Sequence, residues 1–168
     1  EPAHATALEV LSAHNTDVMI QKESGYTPTP VISHAILTYN RGREAGLADG
    51  IVITPSHNPP DNGGIKYNPP QGGPADTQIT QWIEEKANNL LKSNNKGIKR
   101  IPYEKAIRAS TTHIHDYIEP YVTDLKNIID MDAVRSAGLK IGADALGGSG
   151  LAFWEPIAGL YGLNIDVA

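Results

Sequence analysis

At 168 residues the chain is long enough for one domain, or for one domain and the opening of another. Hydrophobic residues make up 40%, charged residues 20% and aromatics 6%, a globular profile that excludes collagenous, coiled-coil and disordered classes. Fourteen Lys and Arg against nineteen Asp and Glu leave a net charge of −5, so no basic field is available for nucleic acid, and the lack of Cys removes disulfides, thiolate nucleophiles and Cys-ligated metal sites.

No run approaches the ~18 apolar residues of a membrane span, and Glu1-Pro2-Ala3-His4 has neither the basic nor the apolar stretch of a signal peptide. The sequence therefore reads as that of a soluble protein with no membrane partner, and a reducing cytoplasm fits it. It opens without Met and closes on the alternation Leu163-Asn164-Ile165-Asp166-Val167-Ala168, which looks like a strand cut as it begins. The expectation is a fragment of something longer.

Residues 3–14 mix Ala, Leu, Glu and Val as a helix would, and Asn15-Thr16 separates them from a short strand at Val18-Met19-Ile20. In Thr27-Pro28-Thr29-Pro30, Thr29 can cap a helix with Pro30 in its first position. Ile32, Ala35, Ile36 and Tyr39 then form one apolar face. After Gly42 and Gly46 comes Gly50-Ile51-Val52-Ile53-Thr54, a continuous apolar run of the buried-strand type. Strand, helix and strand in this order predict a βαβ unit with a parallel sheet.

Residues 54–74 differ in kind: ten of the twenty-one are Pro or Gly, which makes a rigid loop. Inside it, Asp61-Asn62-Gly63-Gly64 turns the chain into a short strand at Ile65-Lys66-Tyr67. Asp76 should cap a helix with the apolar face Ile79, Trp82, Ile83, Ala87, Leu90 and Leu91. A basic connector, 92–100, leads on to a predicted amphipathic helix over Ile114–Ile129, which Pro120 should kink or begin. A strand at 139–144, the turn Gly147-Gly148-Ser149-Gly150, a helix through Phe153, Trp154, Ile157 and Leu160, and the last strand form a second strand-turn-helix-strand unit. A domain boundary is expected within 112–120.

Chemistry concentrates in Thr54-Pro55-Ser56-His57-Asn58-Pro59-Pro60, where a strand gives way to a loop, the usual place for ligands in parallel sheets. Pro55 and Pro59 restrict the backbone on either side of Ser56 and hold it in one orientation. The string does not match the G-x-S-x-G hydrolase elbow, since Thr54 and Asn58 stand where that motif needs glycines and Pro55 precedes the serine. His57 is the next residue, so in an extended segment it points away from Ser56 and is poorly placed as its base. A serine without a base can still take and give a phosphoryl group, a reaction governed by positioning and charge neutralisation, and Lys66 could fold back as charge partner or proton shuttle.

Two other patterns carry less. Gly147-Gly148-Ser149-Gly150 matches no nucleotide-binding fingerprint and reads as a strand-to-helix turn. His113 and His115 share a side only in an extended segment, and surface placement is the expected reading.

Thr54-Pro55-Ser56-His57-Asn58-Pro59, followed by Gly63-Gly64-Ile65-Lys66-Tyr67-Asn68, closely resembles the phosphoserine loop of the α-D-phosphohexomutases. The continuation Asn68-Pro69-Pro70-Gln71-Gly72-Gly73-Pro74-Ala75-Asp76 is similar to the family's bacterial phosphoglucomutase branch. The resemblance implies an α/β fold with a mixed, mainly parallel sheet sandwiched by helices. Residues 1–116 would be domain 1, carrying the phosphoserine loop 54–60, and 117–168 the incomplete start of a similar domain 2.

It further implies interconversion of glucose 1-phosphate and glucose 6-phosphate, with glucose 1,6-bisphosphate as intermediate and activator; mannose or glucosamine phosphates and a non-catalytic phosphosugar-binding module are the alternatives. Ser56 would carry the phosphoryl group and, through a phosphoryl oxygen, ligate Mg²⁺. His57 would lie beside the transferred group, Asn58 would shape the loop and bind substrate with it, and Lys66 would move the proton. The family's three-aspartate metal loop, sugar-recognition loop and phosphate loop are absent. The isolated chain is therefore expected to bind Mg²⁺ weakly, to lack mutase activity and to self-associate through an open domain 2 edge.

Overall fold

The computed structural model describes residues 2–59 and 61–168, so Pro60, the last residue of the 54–60 string, lies outside the described residues along with Glu1. The chain divides into two compact units. One comprises the chain up to Ile20 together with Ile36–Ile114, the other Gln21–Ala35 with His115–Ala168.

In the first unit, α1 (Pro2–Ala13) follows the Ala- and Leu-rich opening and packs on α4 (Tyr103–Ala106). Leu8 of α1 and Ala106 of α4 are both buried. The buried Ser12 hydroxyl lies 3.3 Å from that of Thr112, which donates to the Ala106 carbonyl at 2.7 Å, so the polar groups taken out of water keep partners. β1 (Val18–Gln21) pairs with β4 (Thr112–His115).

β2 (Gly50–Thr54) and β3 (Gly64–Asn68) form an antiparallel hairpin, with Gly50 opposite Asn68, Val52 opposite Lys66 and Thr54 opposite Gly64. Here the parallel pairing expected of β1 and β2 gives way. Among the described residues β2 takes β3 as its partner, because β3 follows it in sequence after nine residues while β1 lies beyond α2 (Thr29–Asn40) and a further loop. Nor is β2 a strand covered on both sides: Val52 is buried on one face and Ile51 is 47% exposed on the other, the two-faced pattern of a hairpin.

α3 (Thr77–Lys92) starts where expected, with an Asp76 carboxylate oxygen accepting from the Ile79 N–H at 3.0 Å. Its apolar stripe stays in water: no described residue of α3 is buried, and Trp82 is 60% exposed.

The second unit holds a core of Val31, Tyr117, Val122, Met131, Phe153 and Tyr161. α5 (Ile118–Asp124) supplies Val122, α6 (Met131–Ser136) supplies Met131, and α7 (Leu151–Tyr161) supplies Phe153 and Tyr161. The helix expected over Ile114–Ile129 is shorter. Ile114 belongs to β4, and Pro120 falls at the third position of α5, in the first turn where its missing N–H breaks no helical hydrogen bond. Asp116 supplies the cap, accepting from the N–H groups of Ile118 at 2.8 Å and Glu119 at 3.3 Å.

β5 (Lys140–Ala143) and β6 (Asn164–Val167) run parallel on either side of α7 in sequence, as the strand-turn-helix-strand pattern predicted. α7 ends at Gly162, whose φ of 62° suits a residue with no side chain, and the Leu163 N–H closes onto the Ala158 carbonyl at 3.0 Å. No helix among the described residues is long and apolar enough to cross a membrane.

Candidate active site

β2 ends at Thr54, and the next four residues make a tight turn rather than an extended segment. The Asn58 N–H donates to the Pro55 carbonyl at 2.9 Å, and the Asn62 N–H donates to the Pro59 carbonyl at 2.9 Å. Ser56 within this turn has φ of 59°, in the left-handed region. A residue with a side chain sits there at a cost of about 1–2 kcal/mol, a strain that typically collects at functional positions. The Ser56 N–H donates to Thr54 Oγ1 at 3.0 Å.

The left-handed turn changes the relation of Ser56 to His57. An extended segment would send the two side chains to opposite sides; instead Ser56 Oγ lies 3.4 Å from His57 Nδ1. The expectation that His57 points away is thus corrected, and the reason is the backbone of Ser56 itself. Lys66 arrives from the other strand of the hairpin and donates from Nζ to Ser56 Oγ at 3.2 Å. Ser56, His57 and Lys66 are therefore one exposed cluster, while Asn58 contributes its backbone to the turn.

The strand that carries Lys66 is firmly footed. Asn68 is buried and donates from its side-chain amide to the Gly72 carbonyl at 2.9 Å, while the Gly72 N–H donates to the Pro69 carbonyl at 2.8 Å. Asn40, at the end of α2, donates to the carbonyls of Ala48 at 2.8 Å and Pro70 at 2.9 Å and accepts from the Ala48 N–H at 2.7 Å. One side chain thus ties the approach to β2 to the proline-rich exit of β3.

Tyr67, beside Lys66 in sequence but on the opposite face of β3, donates to Asp49 Oδ2 at 2.7 Å. Burial first, then the hydrogen bond to Asp49 and its negative charge, push the Tyr67 phenol up to about 12, so it remains a donor throughout the neutral range. Sequence reasoning did not single out Asn40 or the Asp49–Tyr67 pair. Both act between residues eighteen or more positions apart, or through backbone carbonyls, and neither leaves a periodic signal.

The remaining candidates resolve separately. His113 pairs with Asp17 at 3.1 Å, and His115 meets the Tyr117 ring edge-on at 4.6 Å, so the two do not converge. Gly147-Gly148-Ser149-Gly150 lies in the turn between β5 and α7. There the Gly148 N–H donates to the Ala145 carbonyl at 2.7 Å, and a Cβ on Gly148 would stand 2.8 Å from that oxygen. Among the described residues no three His, Asp or Glu side chains gather where a metal ion could sit, so this chain's own residues do not fit a Mg²⁺ site.

The chain as a whole has relatives among known proteins. Residues 1–94 match the family described as phosphoglucomutase/phosphomannomutase, alpha/beta/alpha domain I. The chain belongs to this family. It is 55% identical over 166 residues to a phosphoglucomutase of Komagataeibacter xylinus, an alignment covering 99% of this chain and 30% of that protein. Phosphoglucomutase 1 of Saccharomyces cerevisiae is 34% identical over 93% of the chain and 28% of its own length.

Among solved structures, a Thermus thermophilus protein provisionally named a phosphomannomutase superposes with a TM-score of 0.69 at 27% identity, covering 99% of this chain and 33% of that one. The α/β fold is thus that of the family. The chain spans about 30% of the length of the curated relatives it matches.

Proposed function

We propose that the chain is the phosphoserine-bearing portion of a cytoplasmic phosphoglucomutase that interconverts glucose 1-phosphate and glucose 6-phosphate, with residues 1–116 as its first domain and 117–168 as the start of its second. The observation that carries the reading is the 3.2 Å contact of Lys66 Nζ with Ser56 Oγ inside the strained turn. The match to domain I over residues 1–94 supports the first domain, and one of the divisions between the two compact units falls between Ile114 and His115, although Gln21–Ala35 groups with the second unit.

In this reading Ser56 carries the phosphoryl group between turnovers. Transfer to the sugar breaks the Ser56 Oγ–phosphorus bond and forms a bond from phosphorus to a sugar hydroxyl oxygen. The hydroxyl loses its proton, and Ser56 Oγ gains one. Lys66, already hydrogen-bonded to Oγ, donates a proton there and takes one from the sugar; in the return step the movements reverse. The product of the first transfer is glucose 1,6-bisphosphate, whose other phosphate returns to Ser56 and so exchanges the position of the ester.

A phosphoserine brings close to two negative charges, and the Lys66 ammonium beside Oγ offsets part of them. His57, 3.4 Å from Oγ, is the second group able to meet the transferred phosphoryl, and Asn58 shapes the loop that presents both. Mg²⁺, expected of the family, would meet a phosphoryl oxygen on Ser56 with its other ligands outside this chain.

The test is a coupled assay of glucose 1-phosphate conversion by the full-length protein carrying this chain, primed with glucose 1,6-bisphosphate, for wild type and Ser56→Ala. Activity should collapse in the variant, and intact mass should show a phosphoryl group on the wild type alone. Full activity of Ser56→Ala would end the reading.

A further inference from the structure

We propose that Thr54 is the positioning residue of Ser56: its hydroxyl holds the Ser56 backbone in the left-handed conformation that aims Oγ at Lys66 and His57. This rests on the reading of Ser56 as the phosphoryl carrier and goes beyond it, by naming the group that sets the direction of its side chain.

The geometry begins with the strand. Thr54 is the last residue of β2, and its backbone is fixed opposite Gly64. Its side chain shares a face with Val52, which stands opposite Lys66, so Thr54 lies on the Lys66 side of the hairpin. Being β-branched, threonine has restricted χ1 freedom, which limits where its hydroxyl can point.

Pro55 follows, and a proline has no N–H. The first backbone donor beyond the strand is therefore that of Ser56, which lies 3.0 Å from Thr54 Oγ1. Pro55 also disfavours a helical backbone at Thr54 and keeps it extended as the acceptor's base. A side-chain acceptor two residues back, across a residue that cannot compete for it, is a local device for holding a turn.

The consequence lies in the side chain. With φ of 59°, Ser56 presents Oγ 3.2 Å from Lys66 Nζ and 3.4 Å from His57 Nδ1. Relaxation of Ser56 to an extended or right-handed backbone swings the Cα–Cβ bond and takes Oγ away from both. Since phosphoryl transfer depends on positioning, loss of the Thr54 hydroxyl should fall on the transfer step rather than on substrate binding.

The variants are Thr54→Val, which keeps the branched shape and loses the acceptor, and Thr54→Ser, which keeps the acceptor. In the full-length protein, Thr54→Val should lower kcat by about 10- to 100-fold with KM for glucose 1-phosphate changed no more than about twofold, and Thr54→Ser should recover most of kcat. In the 168-residue chain, amide exchange at Ser56 should quicken in Thr54→Val and stay slow in Thr54→Ser.

Wild-type kcat in Thr54→Val, or equal loss in both variants, would overturn the proposal, as would unchanged Ser56 exchange in Thr54→Val. These outcomes separate from failure of the functional reading. An inactive Ser56→Ala beside a fully active Thr54→Val sinks only the role of Thr54, whereas an active Ser56→Ala sinks the reading beneath it.

Discussion

Lys66 reaches Ser56 across ten residues of sequence because a hairpin register, not a local turn, brings them together. With Lys66 opposite Val52, its side chain leaves the face that also carries Thr54, and a slip of one residue would send it to the other side. Lys66→Met keeps the length and removes both charge and proton. In the full-length protein we expect kcat to fall by about 10²- to 10⁴-fold, the usual range for loss of a positioned acid–base group. The proton role also requires a change in the pH dependence of kcat, so a Lys66→Met enzyme with wild-type kcat and pH profile would remove Lys66 from the chemistry. The Asp61-Asn62-Gly63-Gly64 turn made the return of the chain toward Ser56 legible, and with it the approach of Lys66, though not the pairing of the two strands. The left-handed backbone of Ser56 was not legible, because serine carries no signature of positive φ; the contact with His57 was hidden for the same reason.

At the scale of elements, α5 shows how one carboxylate serves two ends. Asp116 accepts from two N–H groups at the start of α5 and forms an ion pair with Lys22 at 2.7 Å, which ties the segment after β1 to that helix. The hydrogen bond from Lys22 chiefly holds the Asp116 carboxyl below the usual carboxylate range; burial opposes it, and the two backbone N–H groups and the Lys22 charge assist. The same hydrogen bond chiefly raises Lys22, and the Asp116 charge adds to it.

The signs of the two shifts define a window. A depressed carboxyl gives stability that is present above its unfolded value of about 3.9 and lost as pH falls through the folded one. A raised ammonium gives stability that is full below its unfolded value of about 10.4 and lost as pH rises through the folded one. In Asp116→Asn, thermal melts of the chain should show a flatter acid limb below about pH 4 and a weaker alkaline loss above about pH 10. Melting profiles parallel to wild type at both ends would contradict the pairing.

Among the elements, α3 and the β5–α7–β6 unit were readable because capping, periodicity and turn residues agree within one stretch of chain. The pairing of β2 was not readable, since apolar runs reveal a strand but not its neighbour. The true start of α5 was obscured because the apolar spacing continues backward into β4, and only Pro120 marked the change.

For the molecule as a whole, the question is what a chain with this serine cluster can do by itself. Ser56, His57 and Lys66 are all exposed, and no group of three His, Asp or Glu side chains among the described residues is placed to hold a metal ion. The chain is acidic overall, at −5, and a phosphoryl group on Ser56 would add to that charge beside a single lysine contact. Mg²⁺ prefers a near-octahedral oxygen shell, and a phosphoserine with scattered carboxylates supplies little of it.

On the proposed function the sugar would meet a comparable shortage, because exchange of the two phosphates would require the bisphosphate to be held while either end faces Ser56. An open serine cluster offers no such enclosure, and the chain spans 30% of its Komagataeibacter xylinus relative. The purified 168-residue chain should therefore show no turnover of glucose 1-phosphate, with or without glucose 1,6-bisphosphate and Mg²⁺. Calorimetric titration with MgCl₂ should find no binding tighter than about millimolar. Measurable turnover by the chain would mean that the Ser56 cluster can bind and reorient the sugar bisphosphate without further chain; tight Mg²⁺ binding would mean that side chains not grouped in this structure rearrange around the ion.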